Sequence, residues 1–135
     1  MDLTKAMMIS ASGMKVQNVR MRIIAENLAN QDSVASGPDM DPYRRKSLTF
    51  TNVLDRETGV NNVEVKKVLY DQAEFGMRYD PGHPAADDTG YIKTTNVNGL
   101  VELMDMKQAQ RSYESNLNAM DVSKNIIMRT VDLLR

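Results

Sequence analysis

The residues best equipped for chemistry gather in one short stretch. Asp80, His83, Asp87 and Asp88 supply imidazole nitrogen and carboxylate oxygen, the ordinary ligands of divalent metals. Their spacing fits no zinc, EF-hand or oxygenase template. His83 stands between Gly82 and Pro84, where a rigid turn that shows a polar ring to solvent is the simpler account. It is also the only imidazole in the chain, and no Gly-x-Ser-x-Gly segment accompanies it. A lysine or carboxylate could replace histidine as a base, yet no template for such a site appears. Asp87 and Asp88 are adjacent, so in most backbones they point in different directions, as in a solvated turn. Arg44, Arg45 and Lys46 form the one strongly basic run, which could touch phosphate, but only Tyr43 and Phe50 stand near it as stacking aromatics. A charged edge strand is the structural alternative, because positive side chains discourage unwanted strand pairing. The glycines are too scattered for a phosphate-cradling loop. The sequence therefore predicts no catalytic residue, no cofactor and no metal.

The totals agree. Lys and Arg number 17 against 18 Asp and Glu, for a formal charge of -1, so the chain as a whole has no bias toward nucleic acid or an acidic membrane. Cysteine is absent, which removes disulfides and thiolate chemistry. Uninterrupted apolar runs are only a few residues long, far below the roughly 20 that a spanning helix needs, so no membrane insertion is expected. Met1 to Ser10 has one lysine, no sustained hydrophobic stretch and no small-residue cleavage site, so a conventional secretory signal is not expected either. On those grounds alone the chain would be placed in the cytoplasm.

The elements that must position any site are helices. Leu3, Met7, Ser10, Met14, Gln17, Met21, Ile24 and Leu28 step four and three residues apart and are apolar except Ser10 and Gln17, the pattern of a helical seam. Asp2 is a plausible cap for its start and Asn30 marks its exit. Leu103, Met106, Gln110, Tyr113, Leu117, Met120, Lys124, Ile127, Val131 and Leu134 repeat the pattern toward the other end, broken only at Gln110 and Lys124, with Asn96 or Asn98 as cap. Between these seams lie all four prolines and most of the glycines, and β-favouring stretches at Tyr43 to Phe50 and Val63 to Tyr70. Ser36 to Pro42 and Tyr79 to Gly90 read as loops. The expected fold is mainly α, with long N- and C-terminal helices and a small β-rich insertion. Eleven methionines and only 5% aromatics suit helix-to-helix contact. Apolar coverage extends beyond the seams to Met8, Ile9, Val16, Val19, Ile23, Leu100, Met104 and Ile126, which predicts packing between molecules rather than a self-sufficient monomer.

Ala25-Glu26-Asn27-Leu28-Ala29-Asn30 resembles the Ala-Asn-Asn-Leu-Ala-Asn signature near the N-terminus of flagellar rod and hook proteins. Tyr79-Asp80-Pro81-Gly82-His83-Pro84-Ala85-Ala86-Asp87, followed by Gly90-Tyr91 and Asn96-Val97-Asn98, is similar to the hallmark of the C-type rod proteins within that family. Pro42-Tyr43-Arg44-Arg45-Lys46 and Arg111-Ser112-Tyr113-Glu114-Ser115-Asn116 also fit, so the resemblance spans nearly the whole chain. Thr95 stands where the family commonly has proline, which implies a less rigid approach to the second helix. The resemblance implies a structural subunit of the proximal rod in the flagellar basal body. Residues 1–30 and 96–135 would form a discontinuous rod-core domain whose helices pair in coiled-coil fashion, with the loop and β-rich insertion of 31–95 further out. Other proximal rod subunits and the export-gate junction would be its partners, with self-association in a helical tube and no contact with nucleic acid. Export through the flagellar type III apparatus without a cleaved signal would place it in the periplasmic rod, not the cytoplasm. A soluble helical adaptor or chaperone that binds partner helices is the alternative.

Overall fold

The computed structural model describes residues 2–134. Helix α1 spans Leu3–Ala29, followed by strands β1 (Lys46–Asp55), β2 (Val60–Tyr70), β3 (Gly76–Tyr79) and β4 (Tyr91–Thr94), and then helix α2, Gly99–Leu133. At 27 and 35 residues, both helices exceed the usual three to four turns. Asp2 caps α1 as expected, its carboxylate accepting from the Thr4 N–H at 3.0 Å. At the other end the Asn30 side chain donates to the Glu26 carbonyl at 2.8 Å, satisfying one of the last carbonyls of α1. Of the two candidate caps for α2, Asn98 serves: its side-chain oxygen accepts from Leu100 and Val101 N–H at 3.1 and 3.3 Å. Asn96 is committed elsewhere. Among the described residues no helix is long and apolar enough to cross a membrane.

The strands form two separate two-stranded antiparallel sheets, β1 with β2 and β3 with β4. Both sheets fall in the stretch between the two helices, where the small β-rich insertion is expected. β1 and β2 overlap the two stretches of β-favouring residues, though β1 starts at Lys46, three residues after Tyr43. β3 and β4 are four residues each, too short to show a period of two. They pair from Gly76 with Thr94 to Tyr79 with Tyr91.

The chain divides into two compact units. One comprises Met1–Met21, Leu48–Lys67 and Lys107–Arg135, and the other Arg22–Ser47 and Val68–Met106. In the first unit Val16, Val60 and Ala109 are buried. Gly13 of α1 lies against α2 there: a Cβ at position 13 would stand 2.9 Å from Asn116 Nδ2, so the absence of a side chain permits the approach. Ser12 ties α1 to β2 by accepting from the Val63 N–H at 3.3 Å.

The second unit has a small apolar core of Ala35, Ala85 and Ile92, with Val34 and Ala86 packed against it. Residues Asp80 to Gly90 form the connection between β3 and β4, the loop expected from its prolines and glycines. Gly90 has a φ of 83°, in the left-handed region, and is buried. Thr95 does not loosen the approach to α2. It is buried, its hydroxyl donates to the Gln31 carbonyl at 3.1 Å and accepts from the Val97 N–H at 3.3 Å, so two hydrogen bonds hold the segment that a proline ring would stiffen.

Gly90→Ala is expected to cost about 1–3 kcal/mol, because the backbone disfavours a side chain and the new Cβ would meet Tyr79 Cε2 at 2.9 Å and Pro81 Cβ at 3.1 Å. Equilibrium urea unfolding of wild type and variant measures this as a lower midpoint with an unchanged slope.

Candidate functional site

The residues with the richest chemistry form a turn. His83 Nδ1 accepts from the Ala85 N–H at 3.1 Å, and the His83 N–H donates to the Asp80 carbonyl at 3.2 Å, so the imidazole braces its own loop. Asp87 accepts from the Thr89 hydroxyl at 2.6 Å, from the Thr89 N–H at 2.9 Å and from the Tyr91 N–H at 3.0 Å. Those bonds, the Thr89 hydroxyl first and the Tyr91 N–H next, hold its carboxyl below the usual aspartate range. Tyr79 and Tyr91 close the loop edge to face with ring centroids 5.2 Å apart. Asp80 pairs loosely with Arg78 at 3.8 Å. Among the described residues no three His, Cys, Asp or Glu side chains converge to hold a metal ion.

The convergent polar site lies instead around Asn27. This asparagine is buried near the end of α1 and uses both ends of its amide. Its nitrogen donates to the Lys46 carbonyl at 2.8 Å and to Glu102 at 3.0 Å. Its oxygen accepts from the Tyr43 hydroxyl at 2.9 Å and the Lys46 N–H at 3.0 Å. Glu102 is 0% exposed, and its charge is met by Arg45, whose Nε lies 2.5 Å from the carboxylate. The Arg45 guanidinium reaches Asp71 and Asp105 as well, each at 3.5 Å. Burial opposes the charge on Arg45, but the hydrogen bond it donates to Glu102 and the nearby carboxylates carry its pKa above the ordinary arginine value.

The basic run is therefore spent inside the protein. Arg44 donates to the carbonyls of Asp71 and Ala73 at 2.9 and 3.2 Å and stacks on Phe75 at 4.2 Å. Lys46 pairs with Glu26 at 3.0 Å. The charged-edge reading is replaced by this account: Arg44 and Arg45 precede β1 and clamp the segment after β2. Asn96 completes the clasp by accepting from the Arg45 N–H at 2.7 Å and donating to the same Asp71 and Ala73 carbonyls. Burial raises the Tyr43 phenol above its usual value against the lowering effect of Lys46, so it stays a neutral donor to Asn27.

The helical seams fare differently. On α1, Ile24 is buried and Leu3, Met7, Met14, Met21 and Leu28 are half-buried. On α2, Met106, Tyr113, Met120 and Ile127 are half-buried, whereas Leu103, Leu117, Val131 and Leu134 are exposed. The positions that α2 buries are Glu102, Ala109 and Ser123, with Asn116 half-buried: one residue in seven, small or polar. Of the motif residues, Asn27, Asn96 and Asn98 act as described, while Ala25, Ala29, Pro81, Gly82 and Pro84 are exposed, and Val97 is half-buried. Sequence reading missed Glu102 and Asp71, and it singled out Arg45 and Thr95 without the contacts they make here. The signal that could have found Glu102 is the seven-residue recurrence of Glu102, Ala109, Asn116 and Ser123.

Asn27→Ala removes four hydrogen bonds at a buried position and is expected to cost about 2–4 kcal/mol by leaving Glu102 and the Lys46 backbone short of partners; chemical denaturation measures it. The depressed Asp87 carboxyl makes a second prediction. Its contribution is present above the unfolded value of about 4 and is lost as pH falls through the lower folded value, so Asp87→Asn should flatten the acid loss of stability below about pH 4. Unfolding midpoints measured from pH 2 to 6 test the difference.

Comparison with known proteins gives this arrangement a setting. The model of the flagellar basal body rod FlgEFG protein C-terminal family matches residues 88–133, which include β4, Asn96 and all of α2. The chain is 46% identical over 133 residues to the flagellar basal-body rod protein FlgC of Agrobacterium fabrum, covering 98% of this chain and 96% of the relative. It is 36% identical over 125 residues to the FlgC protein of Salmonella typhimurium, covering 93% and 92%, and 33% identical over 140 residues to that of Bacillus subtilis, covering 93% of each. With such identity along almost its entire length, the chain belongs to the flagellar basal-body rod protein FlgC family and is a structural rod subunit, not an enzyme.

Proposed function

We infer that this subunit builds the torque-transmitting shaft of the proximal rod through its helical ends, with residues 1–30 and 96–135 as a discontinuous core domain and 31–95 further from the axis. One observation carries the reading. α2 buries its small and polar stripe and leaves Leu103, Met104, Leu117, Val122, Ile126, Val131 and Leu134 exposed. Apolar surface of that extent is ordinarily a contact surface, and at about 25 cal/mol per Å² its burial against neighbouring helices supplies the driving force for assembly. The occupants are helices of other proximal rod subunits, further copies of this chain and, at the inner end, the export-gate junction. Coiled-coil pairing of the ends within the rod follows from the three-four spacing on both helices. A non-closing interface repeated from subunit to subunit generates a helical tube, and torque then passes as shear across many packed seams.

The location that goes with this role is the periplasmic rod, reached by type III export without a cleaved signal. Separated helical ends that gain most of their apolar burial only on meeting neighbours are suited to travel unfolded and to order at the growing tip.

Two substitutions separate assembly from folding. Leu117→Asp is expected to cost the isolated chain about 1–2 kcal/mol and leave it folded, because the side chain is already 40% exposed, and to abolish rods and swimming. Ile24→Asp places a charge in the buried face of α1 and is expected to cost about 3 kcal/mol or more, so the chain itself fails. Circular dichroism of the purified chains, with electron microscopy of basal bodies, distinguishes the two. Normal rods with Leu117→Asp would remove α2 from the interface.

A further inference from the structure

Within the first unit, α1 and β2 enclose a trench. One part, about 290 Å³, is lined by Val16 and Val19 of α1 and Val63 and Val65 of β2, with Lys15 on the helix wall and Glu64 on the strand wall. The adjoining part, about 330 Å³, shares Lys15, Val63 and Glu64 and extends the lining to Met8 and Asp55. From Met8 to Val19 the helix wall is about 16 Å long at 1.5 Å per residue. Small-ligand pockets typically enclose about 300–1,000 Å³ around a few convergent polar groups. Here four of the six residues lining the first part are valines, and the charges stand apart on the two walls, which suits apolar side chains carried on a segment with charges of its own.

The same unit carries a segment of that form. Gly13 faces Asn116, so counting in opposite directions along the helices sets Leu3, where α1 begins, opposite about Ile126. α2 continues to Leu133. Its last two turns therefore run past the start of α1, and Met128, Val131 and Leu133 in them are 54%, 55% and 86% exposed. This stretch is about 10 Å long, short enough to lie within the trench. It bears Arg129 and Asp132, one charge of each sign at a spacing of three that places them on one side of the helix. The trench offers the complement, with Lys15 as cation and Asp55 and Glu64 as anions. Within one copy the projecting end points away from Met8–Val19, so it cannot fill its own trench.

We propose that the end of α2 in one copy of this chain seats in the trench between α1 and β2 of the next copy, with Asp132 against Lys15 and Arg129 against Asp55 and Glu64. The contact is heterologous: each copy offers a different surface at its two ends, so the arrangement continues from copy to copy instead of closing as a symmetric dimer. The docking rests on the rod-subunit reading, since a second copy must be held nearby.

The absence of cysteine from the chain makes the test direct. Cells would produce two full-length forms together, Glu64→Cys in one and Arg129→Cys in the other, so a disulfide between them can form only between copies. Basal bodies are isolated under mild oxidation and resolved by non-reducing electrophoresis. The expected result is a species of twice the chain mass that contains both forms and disappears on reduction. Basal bodies that contain both forms and yield no such species overturn the docking while leaving the rod assignment intact, whereas absence of the chain from basal bodies overturns the rod assignment. Charge exchange guards against failure of the cysteine forms to assemble: Lys15→Glu is expected to reduce swimming at least tenfold and Lys15→Glu with Asp132→Lys to restore it, and a folded double variant that swims no better than Lys15→Glu rules the pairing out.

Discussion

A carboxylate with no exposure to water constrains the second unit more than any apolar contact does. Glu102 sits on the first turn of α2, where its charge suits the positive end of the helix, but burial without partners would cost several kcal/mol. The surrounding sequence meets that demand from three directions. Arg45 supplies the countercharge, Asn27 supplies an amide N–H, and Asp71 and Asp105 share the remaining guanidinium charge. Because each of these groups comes from a different segment, satisfying one side chain fixes α1, the strand approach and α2 together. Buried polar clusters of this kind contribute less to stability than an apolar core of equal volume, and their best-attested use is to select one register among several. In this chain the slip they oppose is sliding of Asn27 past Glu102, since a shift of one helical turn would strand both.

What α2 buries determines what it shows. Its inward stripe of Glu102, Ala109, Asn116 and Ser123 permits close approach, as the contact between Gly13 and Asn116 demonstrates. Small and polar residues in that stripe displace the larger apolar side chains to the flanks and the outer face. For a monomer that distribution is unfavourable, because Leu103, Met104, Val131 and Leu134 stay in water. For a subunit packed among helices it would supply cohesion. The methionine content serves the same end, since unbranched thioether side chains adapt to neighbours of different shape.

The helices were legible because their period persists over many turns. Leu3 to Leu28 marks a face that is at least half-buried at every step, and Asp2 and Asn98 cap where side-chain chemistry says they should. On α2 the apolar residues spaced by three and four straddle the buried stripe, so periodicity gave the helix but only half of its inner face. That failure has a physical basis: hydrophobic period locates apolar surface, and in a subunit such surface need not face inward. Arg44, Arg45 and Lys46 were ambiguous for a related reason. A basic run reads alike whether its partners are phosphates or buried carboxylates distant in sequence, and Asp71 and Glu102 lie 26 and 57 residues from Arg45. β3 and β4 were invisible because four residues are too few to show alternation. The motif around Asn27 pointed to the family, but its role as a four-bond buried hub became visible only in three dimensions.

The central claim is that the apolar face displaced outward on α2 is covered by neighbours in the rod. Labelling of a single thiol tests it most directly. Met104, 65% exposed in the isolated chain, is replaced by cysteine, and its rate of reaction with a maleimide is compared between purified chain and isolated basal bodies. Rapid labelling of the free chain and at least tenfold slower labelling in basal bodies is the outcome this account requires. Equal rates in both would show that the face remains in water after assembly and would contradict it.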